Sequence, residues 1–320
     1  MSLTQRLTSV TVSVDPEDFL GESLGVIFPD DVTTQHGDAA NALRYTSPHL
    51  PKPFHIRLAD PDTEDERRLF SHYLWNASLL LAEFVEAGSL GLKLDKPLGC
   101  GASAAGDDTG DSLPAPRPGR LSESSFDVGG LSTIELGSGT ALPSIMAAVL
   151  SASRVAATDY PAPPIMEILR TNVSSNTQAA FAPVGRSVAS SVVVEGHAWG
   201  EVSSEAFAAE HRGRFDRVLA CDCLWMPWQH DNLRRSIEWF LSDDGNARAW
   251  LVAGFHTGRH NMSGFFDTDK LAAAGLELES IWERDVEGEE RDWAVERLDD
   301  GNRKRWLVVA SLKKLPKLQS

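Results

Sequence analysis

The sequence predicts an α/β fold built on a mainly parallel β-sheet, and three observations support this fold class. Seven short apolar segments alternate with segments of helical period over the C-terminal two thirds of the chain, as in sheets whose strands are joined by helices. Several of these segments, such as Val192–Val194 and Val218–Ala220, are apolar on both faces, which is typical of strands covered by helices on each side. The last two segments are separated only by the charged stretch 285–304, so they are expected to pair as a long antiparallel hairpin.

The individual elements follow from these patterns in chain order. The first helix is expected over 64–87, because apolar residues recur there at spacings of three and four, and Gly88 is expected to end it. Trp75 lies on this predicted helix. Strands are predicted at 131–136, 154–158, 188–195, 215–221, 248–254, 276–283 and 304–311, and helices around 143–151, 163–173, 230–241 and 268–274.

Two segments lie outside this alternation. Residues 1–65 are dotted with proline and weakly periodic, and we expect them to form an N-terminal arm that packs on a domain formed by residues 66–320. Residues 99–130 are a run of Gly, Ala, Ser, Asp and Pro that cannot bury a core. This run is therefore predicted to be a disordered insertion.

Composition disfavours several classes of partner. Of the 320 residues, 46 are acidic and 30 are basic, which gives a formal net charge of −16. A surface this negative repels nucleic-acid phosphates and anionic lipid. We therefore expect neither nucleic acid nor a membrane as a partner, but a basic protein segment or a neutral small molecule, and we expect the protein to be a monomer.

The cysteines and the N-terminal residues indicate the compartment. The chain has an odd number of cysteines, namely Cys100, Cys221 and Cys223, and two of these lie on one predicted strand. We therefore expect no disulfide framework. The first 14 residues lack the basic and apolar regions of a secretory signal, and no apolar run approaches the ~20 residues that span a bilayer. The cytoplasm is the expected compartment, with the nucleus as the alternative.

A glycine-bounded turn after the first strand of the sheet is the most informative motif. The segment Thr133–Pro143 runs from an apolar strand through Gly137-Ser138-Gly139 into a helix, and Asp159 follows 22 positions after Gly137. This spacing is typical of a nucleoside site in which the acid binds the ribose hydroxyls. Leu142 stands where a dinucleotide fingerprint has its third glycine, which disfavours NAD and FAD.

A seven-strand sheet that ends in an antiparallel hairpin instead favours S-adenosylmethionine-dependent methyltransferases. In that interpretation the backbone amides of the turn face the methionine carboxylate, Glu135 holds water or the cofactor's ammonium, and Asp159 accepts both ribose hydroxyls. Trp199, after the third strand, is expected either to stack on the adenine or to close the core. The alternative for the glycine segment is a tight turn that binds no ligand.

Candidates for chemistry follow the fourth and fifth strands. Asp222 is at the strand end where open α/β sheets place reacting groups, and a carboxylate there is suited to orient a neutral amine toward an activated methyl group. Trp225 and Trp228 are suited to enclose that amine or to contact a cationic nitrogen, and His256 is expected to border the substrate. The alternative is that Asp222 caps the next helix and both tryptophans pack in the core.

A metal site is not expected. Cys221 and Cys223 with His230, and His256 with His260, are the combinations that a metal could use on paper. Neither has the paired spacing of a structural zinc site.

Four sequence segments resemble a known family, lysine-methyltransferase-like family 16. They are Leu74-Trp75-Asn76-Ala77-Ser78, Ile134–Gly139 with Leu142-Pro143-Ser144, Thr158-Asp159-Tyr160-Pro161, and Glu195-Gly196-His197-Ala198-Trp199-Gly200. The resemblance runs from about Ser71 to the C-terminus, without the 99–130 insertion. Within the family it is strongest to the fungal branch called nicotinamide N-methyltransferase-like, which includes enzymes that methylate the N-terminus and a nearby lysine of translation elongation factor 1-alpha.

The resemblance implies a seven-strand Rossmann-like methyltransferase sheet with S-adenosylmethionine as cofactor. It implies cofactor contacts at Trp75, Gly137, Ser138, Gly139, Asp159, Trp199 and Cys221, and Tyr160 of the third segment joins this set. The chain departs from the elongation-factor enzymes after Asp222, where Trp225-Met226-Pro227-Trp228 replaces an Asn-His-Ser-type sequence. The substrate pocket is therefore expected to differ from theirs.

The sequence as a whole predicts an S-adenosylmethionine-dependent N-methyltransferase acting on a protein amine, either a lysine or an N-terminal amine. A small-molecule N-methyltransferase of the nicotinamide type is the main competing hypothesis, because it shares the cofactor site and differs only in its acceptor. A dehydrogenase of similar topology is a third hypothesis, and a non-catalytic adaptor that keeps the fold is a fourth.

Overall fold

The computed structural model describes residues 3–10, 33–37, 41–60, 63, 73–94, 119–298 and 302–316. The strands are β1 Leu7–Ser9, β2 Gln35–His36, β3 Leu43–Tyr45, β4 Phe54–Ile56, β5 Leu74–Trp75, β6 Ser132–Leu136, β7 Arg154–Asp159, β8 Ser191–Gly196, β9 Arg217–Cys221, β10 Arg248–Gly254, β11 Leu276–Asp285, β12 Glu290–Asp292 and β13 Trp306–Lys314. The α-helices are α1 Asn76–Leu90, α2 Leu142–Val149, α3 Pro163–Asn176, α4 Ala206–Glu210, α5 His230–Phe240, α6 Arg259–Ser263 and α7 Thr268–Ala273. Single 3-10 turns lie at Leu3–Arg6, Glu123–Phe126, Ala179–Phe181, Pro227–Gln229, Gly264–Phe266 and Arg303–Arg305.

One large sheet organises the protein, in the order β12-β11-β13-β10-β9-β6-β7-β8. Strands β6 to β10 are parallel to one another, and β13 joins antiparallel to β10. The predicted terminal hairpin is confirmed, because β11 and β13 pair antiparallel from Leu276 opposite Lys314 to Asp285 opposite Trp306. The prediction of seven strands omits one, since the charged stretch 285–304 contributes the short strand β12 at the sheet edge.

Helices cover both faces of this sheet, as the two-sided apolar strands predict. Successive residues of a strand point to opposite faces, so Leu219 packs in one hydrophobic cluster and Val218 in the other. Helices α1 and α2 contribute to the first cluster, and α5 contributes to the second. Because strands β6 to β10 run in the same direction, their carboxyl ends lie together at one end of the sheet. Open α/β sheets bind their ligands at this end.

The first helix differs from its predicted bounds at both ends. It begins at Asn76 because Leu74 and Trp75 are extended and pair antiparallel with Gln35 and His36, a contact that local periodicity does not show. The expectation that Trp75 lies on a helix is therefore wrong, and the predicted residues 64–72 lie outside the described part. The helix ends at Leu90, and Gly91 rather than Gly88 adopts the left-handed angle that closes it.

The predicted insertion also needs a correction at its C-terminal end. Residues 95–118 lie outside the described part of the chain, but 119–130 do not. A 3-10 turn at Glu123–Phe126 places Phe126 in the core, stacked on Phe84 of α1 with ring centroids 4.6 Å apart. Two apolar residues, Phe126 and Val128, therefore anchor a segment whose average composition predicts disorder.

The N-terminal residues contribute a small sheet of their own. Strands β1, β3 and β4 pair antiparallel, and Tyr45 and Phe54 belong to the same apolar cluster as α1 and α2. Arg6 is buried beneath them and forms ion pairs of 2.8 and 2.9 Å with Glu83 and Glu86 of α1. Among the helices of the described segments, none is long and apolar enough to cross a membrane.

Candidate active site

The glycine turn that the sequence predicts lies at the carboxyl end of β6. Gly137 has a φ of +69°, a backbone conformation that side chains disfavour. A Cβ atom at this position would lie 2.9 Å from Cζ2 of Trp199 and 3.0 Å from Sγ of Cys223. The turn therefore needs glycine for its angle and also for the close approach of Trp199, which joins the glycine segment to the loop after β8.

Asp159, at the end of β7, holds this turn through two backbone hydrogen bonds. Its Oδ2 accepts the amide of Gly139 at 2.7 Å, and its Oδ1 accepts the amide of Tyr160 at 2.7 Å. Burial raises the pKa of Asp159 to about 6, although both amides oppose the shift. An ionised carboxylate offers about four lone-pair sites, so two remain for hydroxyl donors.

Glu135 lies one residue before the end of β6 and is fully buried. Its Oε2 accepts the amide of Ser144 at 3.0 Å and the Ser144 hydroxyl at 2.5 Å, at the start of α2. Its Oε1 has no hydrogen-bond partner among the described residues. Burial raises the pKa of Glu135 to about 8, against the opposing effect of Ser144. Glu135 is therefore behind the glycine turn, and it does not line either cavity described below.

We predict that Glu135 makes the stability of the protein depend on pH. The folded state keeps a proton on Glu135 up to about pH 8, whereas the unfolded chain releases it near 4.5. The stability that this bound proton contributes to the folded state is fully present below pH 4.5 and is lost as the pH rises through 8. Relative to the wild type, the Glu135→Gln variant should therefore gain roughly 3 to 4 kcal/mol of unfolding free energy between pH 5 and pH 8.

Chemical unfolding at pH 5, 6.5 and 8 measures this difference. Glu195→Gln is the matched control, because Glu195 is an exposed acid on β8, and its stability curve should run parallel to that of the wild type. Parallel curves for Glu135→Gln as well would contradict the prediction.

The loop after β8 is fixed by a buried histidine. His197 hydrogen-bonds Glu205 Oε2 through Nδ1 at 2.6 Å and Ser236 Oγ through Nε2 at 2.9 Å. The same two partners accept the backbone amides of Ala198 and Gly200 at 3.1 and 2.9 Å. The four bonds hold the residues on both sides of Trp199, which explains why its indole remains against Gly137.

Asp222 begins the loop after β9 and has a φ of +53°, a strained angle for a residue other than glycine. Its Oδ1 accepts the amide of Gly254 at 3.0 Å. Both of its oxygens lie within hydrogen-bond distance of Nε2 of His256, at 3.1 and 3.0 Å. The imidazole of His256 also packs on Trp75, with ring centroids 4.7 Å apart. Three chain segments, those of Asp222, Gly254–His256 and Trp75, thus meet at this point.

Two cavities, each of about 320 Å³, meet at this carboxylate. The first cavity is lined by Tyr73, Trp75, Ser78, Gly137, Ser138, Gly139, Thr140, Asp159, Tyr160, His197, Ala198, Trp199, Glu201, Cys221, Asp222, Cys223, Trp225, Met226, Gln229 and Asn232. The second cavity is lined by Thr34, Gln35, Trp75, Asp222, Trp225, Phe255, His256, Thr257, Arg303 and Lys304. Three residues, Trp75, Asp222 and Trp225, belong to both linings.

The structure brings most of the sequence-predicted residues together at these cavities. The residues expected to contact the cofactor all line the first cavity, except Glu135. Trp225 and His256 line the second cavity. Trp228 lines neither cavity: its side chain is 72% exposed, and its ring lies edge-on to that of Trp225 with ring centroids 6.3 Å apart. No group of three or more metal-ligating side chains is found within the described residues.

Sequence reasoning missed several residues of the second cavity. Thr34 and Gln35 reach it from the N-terminal segment through the pairing of β2 with β5, and Asn76 ties this segment down by bonding Thr33 O and His36. Arg303 and Lys304 reach it from the 3-10 turn before β13. The four cavity residues Thr34, Gln35, Arg303 and Lys304 belong to no motif, so no local signal identifies them.

The first cavity fits S-adenosylmethionine. Its volume lies within the range of small-molecule sites. Asp159 keeps acceptor capacity for two hydroxyls, and the glycine turn brings main chain to the cavity wall. Trp75, Tyr160 and Trp199 supply aromatic surface for a purine.

Comparisons with known proteins identify the family. A family model described as lysine methyltransferase matches residues 62–270. The chain is 26% identical over 253 residues to "Protein N-terminal and lysine N-methyltransferase EFM7" of Gibberella zeae, which covers 75% of this chain and 80% of that protein. The protein of the same name from Schizosaccharomyces pombe is 24% identical over 251 residues, covering 74% and 80%.

Among solved structures, a 16S rRNA (adenine(1408)-N(1))-methyltransferase from Catenulisporales acidiphilia aligns with a TM-score of 0.39 and 16% identity, over 59% of this chain and 90% of that one. The family match covers well over half of this chain, and it confirms the resemblance that the sequence segments indicate. The chain therefore belongs to this lysine methyltransferase family and is an S-adenosylmethionine-dependent methyltransferase.

Proposed function

We propose that the protein transfers a methyl group to a primary amine of a protein, either the amine of a lysine side chain or that of an N-terminus. The observation that carries this proposal is the meeting of the two cavities at Trp75, Asp222 and Trp225. One cavity has the features of a cofactor site, and the second opens a separate route to the same carboxylate. Methyl transfer requires donor and acceptor to reach one point, and the three residues shared by the two linings provide one.

The first cavity holds the cofactor in this proposal. Asp159 would accept the ribose hydroxyls, and Trp199 and Tyr160 would flank the adenine. The amides of Ser138 and Gly139 already donate to Thr158 O and to Asp159, so the expectation that all the amides of the turn face the methionine carboxylate is wrong. The main chain of the turn would instead form the wall against the methionine part of the cofactor. Cys221 contributes a neutral wall, because burial raises the pKa of its thiol well above the ordinary value. When bound, S-adenosylmethionine supplies a methyl group that its sulfonium already activates.

The second cavity receives the acceptor amine. Trp75 and Trp225 form its aromatic walls next to the first cavity and are suited to an amine that carries or develops positive charge. Asp222 orients that amine through a carboxylate that Gly254 and His256 hold in place. The exposed indole of Trp228, next to Trp225, is suited to contact the acceptor outside the cavity.

A protein acceptor is favoured over a small molecule by the names of the relatives, which are protein N-terminal and lysine methyltransferases. The acidic net charge of −16 favours a basic protein segment as well. Because Trp225–Trp228 departs from the sequence of the elongation-factor enzymes, we expect the acceptor pocket to differ from theirs.

We further propose that residues 1–65 act as an arm of a methyltransferase domain at 66–320, because Thr34 and Gln35 line the second cavity. One chain lines both cavities, which supports a monomer as the active form. The buried free thiols of Cys221 and Cys223 support a reducing compartment such as the cytoplasm.

The test is to incubate the purified protein with tritiated S-adenosylmethionine and a cell extract. We expect label in one or a few protein bands and, after hydrolysis, in methyl-lysine or a methylated N-terminal residue. Label in small molecules would support a nicotinamide-type enzyme instead. Cofactor binding without transfer to any fraction would support a non-catalytic adaptor.

A further inference from the structure

We propose that His256 removes the proton from the acceptor ammonium before methyl transfer, with Asp222 holding the imidazole in place. This inference rests on the proposed function, because it needs an amine in the second cavity. An alkyl amine of pKa near 10.4 is protonated at neutral pH and has no free electron pair, so a base must act first.

The two residues form a partly buried pair at the junction of the cavities, with Asp222 buried and His256 half-buried. Nε2 of His256 lies 3.1 and 3.0 Å from the two oxygens of Asp222, and the carboxylate is also fixed by the amide of Gly254. The imidazole packs on Trp75 and lines the second cavity. Asp222 therefore fixes the ring next to the space that the amine enters.

The pairing also determines which nitrogen is basic. An ionised carboxylate only accepts hydrogen bonds, so Nε2 must carry the proton that faces Asp222. In the neutral ring the lone pair then lies on Nδ1, for which the described residues offer no hydrogen-bond partner. This nitrogen remains available to the incoming substrate.

The proton step balances without any further reactant. The ammonium R–NH3+ and the neutral imidazole become R–NH2 and an imidazolium, whose charge Asp222 stabilises. The electron pair of the released N–H bond stays on the amine nitrogen, where it is free to attack. The imidazolium afterwards returns its proton to solvent.

Burial and Asp222 set the pKa of His256 in opposite directions. Burial lowers its pKa, but the charge and hydrogen bond of Asp222 outweigh this effect, and the pKa is raised overall. Arg303 and Lys304 line the same cavity from the turn before β13, whereas Thr34 and Gln35 from the N-terminal segment carry no charge. Asp222 is thus the group that makes His256 a stronger base.

His256→Asn tests the proposal, with His260→Asn as control because His260 is exposed on the neighbouring helix α6. Label transfer to extract protein is measured from pH 6 to 10. We expect the rate of the wild type to rise with pH and level off above the pKa of His256. The rate of His256→Asn should be about 100-fold lower than that of the wild type at pH 7.5, and it should keep rising with pH where the wild-type rate levels off. The rate of His260→Asn should follow that of the wild type.

Two further measurements separate a base from a structural residue. Added imidazole should restore part of the activity of His256→Asn, and proton NMR should give a His256 pKa that falls in Asp222→Asn even without cofactor. Gly254→Ala should imitate the loss of His256, because a Cβ there would lie 2.6 Å from Cε1 and Nε2 of the ring.

The outcomes distinguish this proposal from the proposed function. Wild-type activity and cofactor binding with an unchanged rate and pH profile in His256→Asn would overturn the role of His256 alone. A loss of activity that imidazole does not restore, with an unshifted His256 pKa in Asp222→Asn, would also overturn it. No protein labelling by the wild type would overturn the proposed function.

Discussion

Replacing Asp159 by alanine is expected to weaken S-adenosylmethionine binding by on the order of 100-fold or more, which calorimetry would register as the loss of a measurable signal. The carboxylate can accept two ribose hydroxyls beyond the amides of Gly139 and Tyr160. Hydrogen bonds to a charged acceptor contribute about 1.5–3 kcal/mol each, so losing two accounts for this factor.

Asp159→Ala also removes the bond that holds the glycine turn, so Asp159→Asn serves as a second variant that keeps the shape of the side chain. The matched control is Asp267→Ala, because Asp267 likewise accepts two backbone amides, those of Asp269 and Lys270, but is exposed at the start of α7. The control should bind cofactor as the wild type does. Unchanged affinity in both Asp159 variants would remove Asp159 from the cofactor site.

The pH dependence of binding gives an independent measurement of the same group. Burial raises the pKa of Asp159 to about 6, so the carboxylate is ionised at pH 7.5 and becomes protonated as the pH falls below 6. Affinity for the cofactor should therefore decline below pH 6 in the wild type and change little in Asp159→Asn. A flat wild-type profile from pH 7.5 to 5 would contradict this assignment.

Seven of the eight strands of the large sheet could be predicted from the sequence, because each of these seven carries its own apolar pattern, whereas the charged strand β12 does not. Strand β7 is observed at Arg154–Asp159 and β10 at Arg248–Gly254, which agree with the predicted 154–158 and 248–254 within one residue. The start of α1 could not be predicted in this way, because a distant segment, Gln35–His36, keeps Trp75 extended. Local pattern therefore determines the sheet, whereas long-range pairing determines where the first helix begins.

The same distinction between local pattern and long-range contact applies to the residues of the candidate site. Glycine at a turn and an acid at the next strand end are local signals, and they bring Gly137, Gly139 and Asp159 together as predicted. The contact of Asp222 with His256 joins residues 34 positions apart, and the strained φ of Asp222 is a property of the folded chain. Sequence reasoning therefore gives the candidates on each loop but not their pairing.

Replacing Asp222 by asparagine is expected to lower the rate of methyl transfer by roughly 100- to 10,000-fold, the usual range for a lost acid–base group, while affinity for S-adenosylmethionine changes little. Asparagine keeps an oxygen for the amide of Gly254 but loses the charge that orients the amine and stabilises an imidazolium at His256. Asp216→Asn is the matched control, because Asp216 precedes β9 at its opposite end and bonds Ser132 away from both cavities. Equal activity of Asp222→Asn and the control would contradict a catalytic role for Asp222.

Combining Asp222→Asn with His256→Asn shows whether the two residues act as one unit. If Asp222 works through the imidazole, the double variant should be only slightly slower than the slower single variant, because the second substitution removes a function already lost. If the two residues act independently, the losses should multiply. Single-turnover rates with saturating cofactor measure this difference directly. A multiplicative loss would mean that Asp222 orients the amine by itself and takes no part in the proton step of His256.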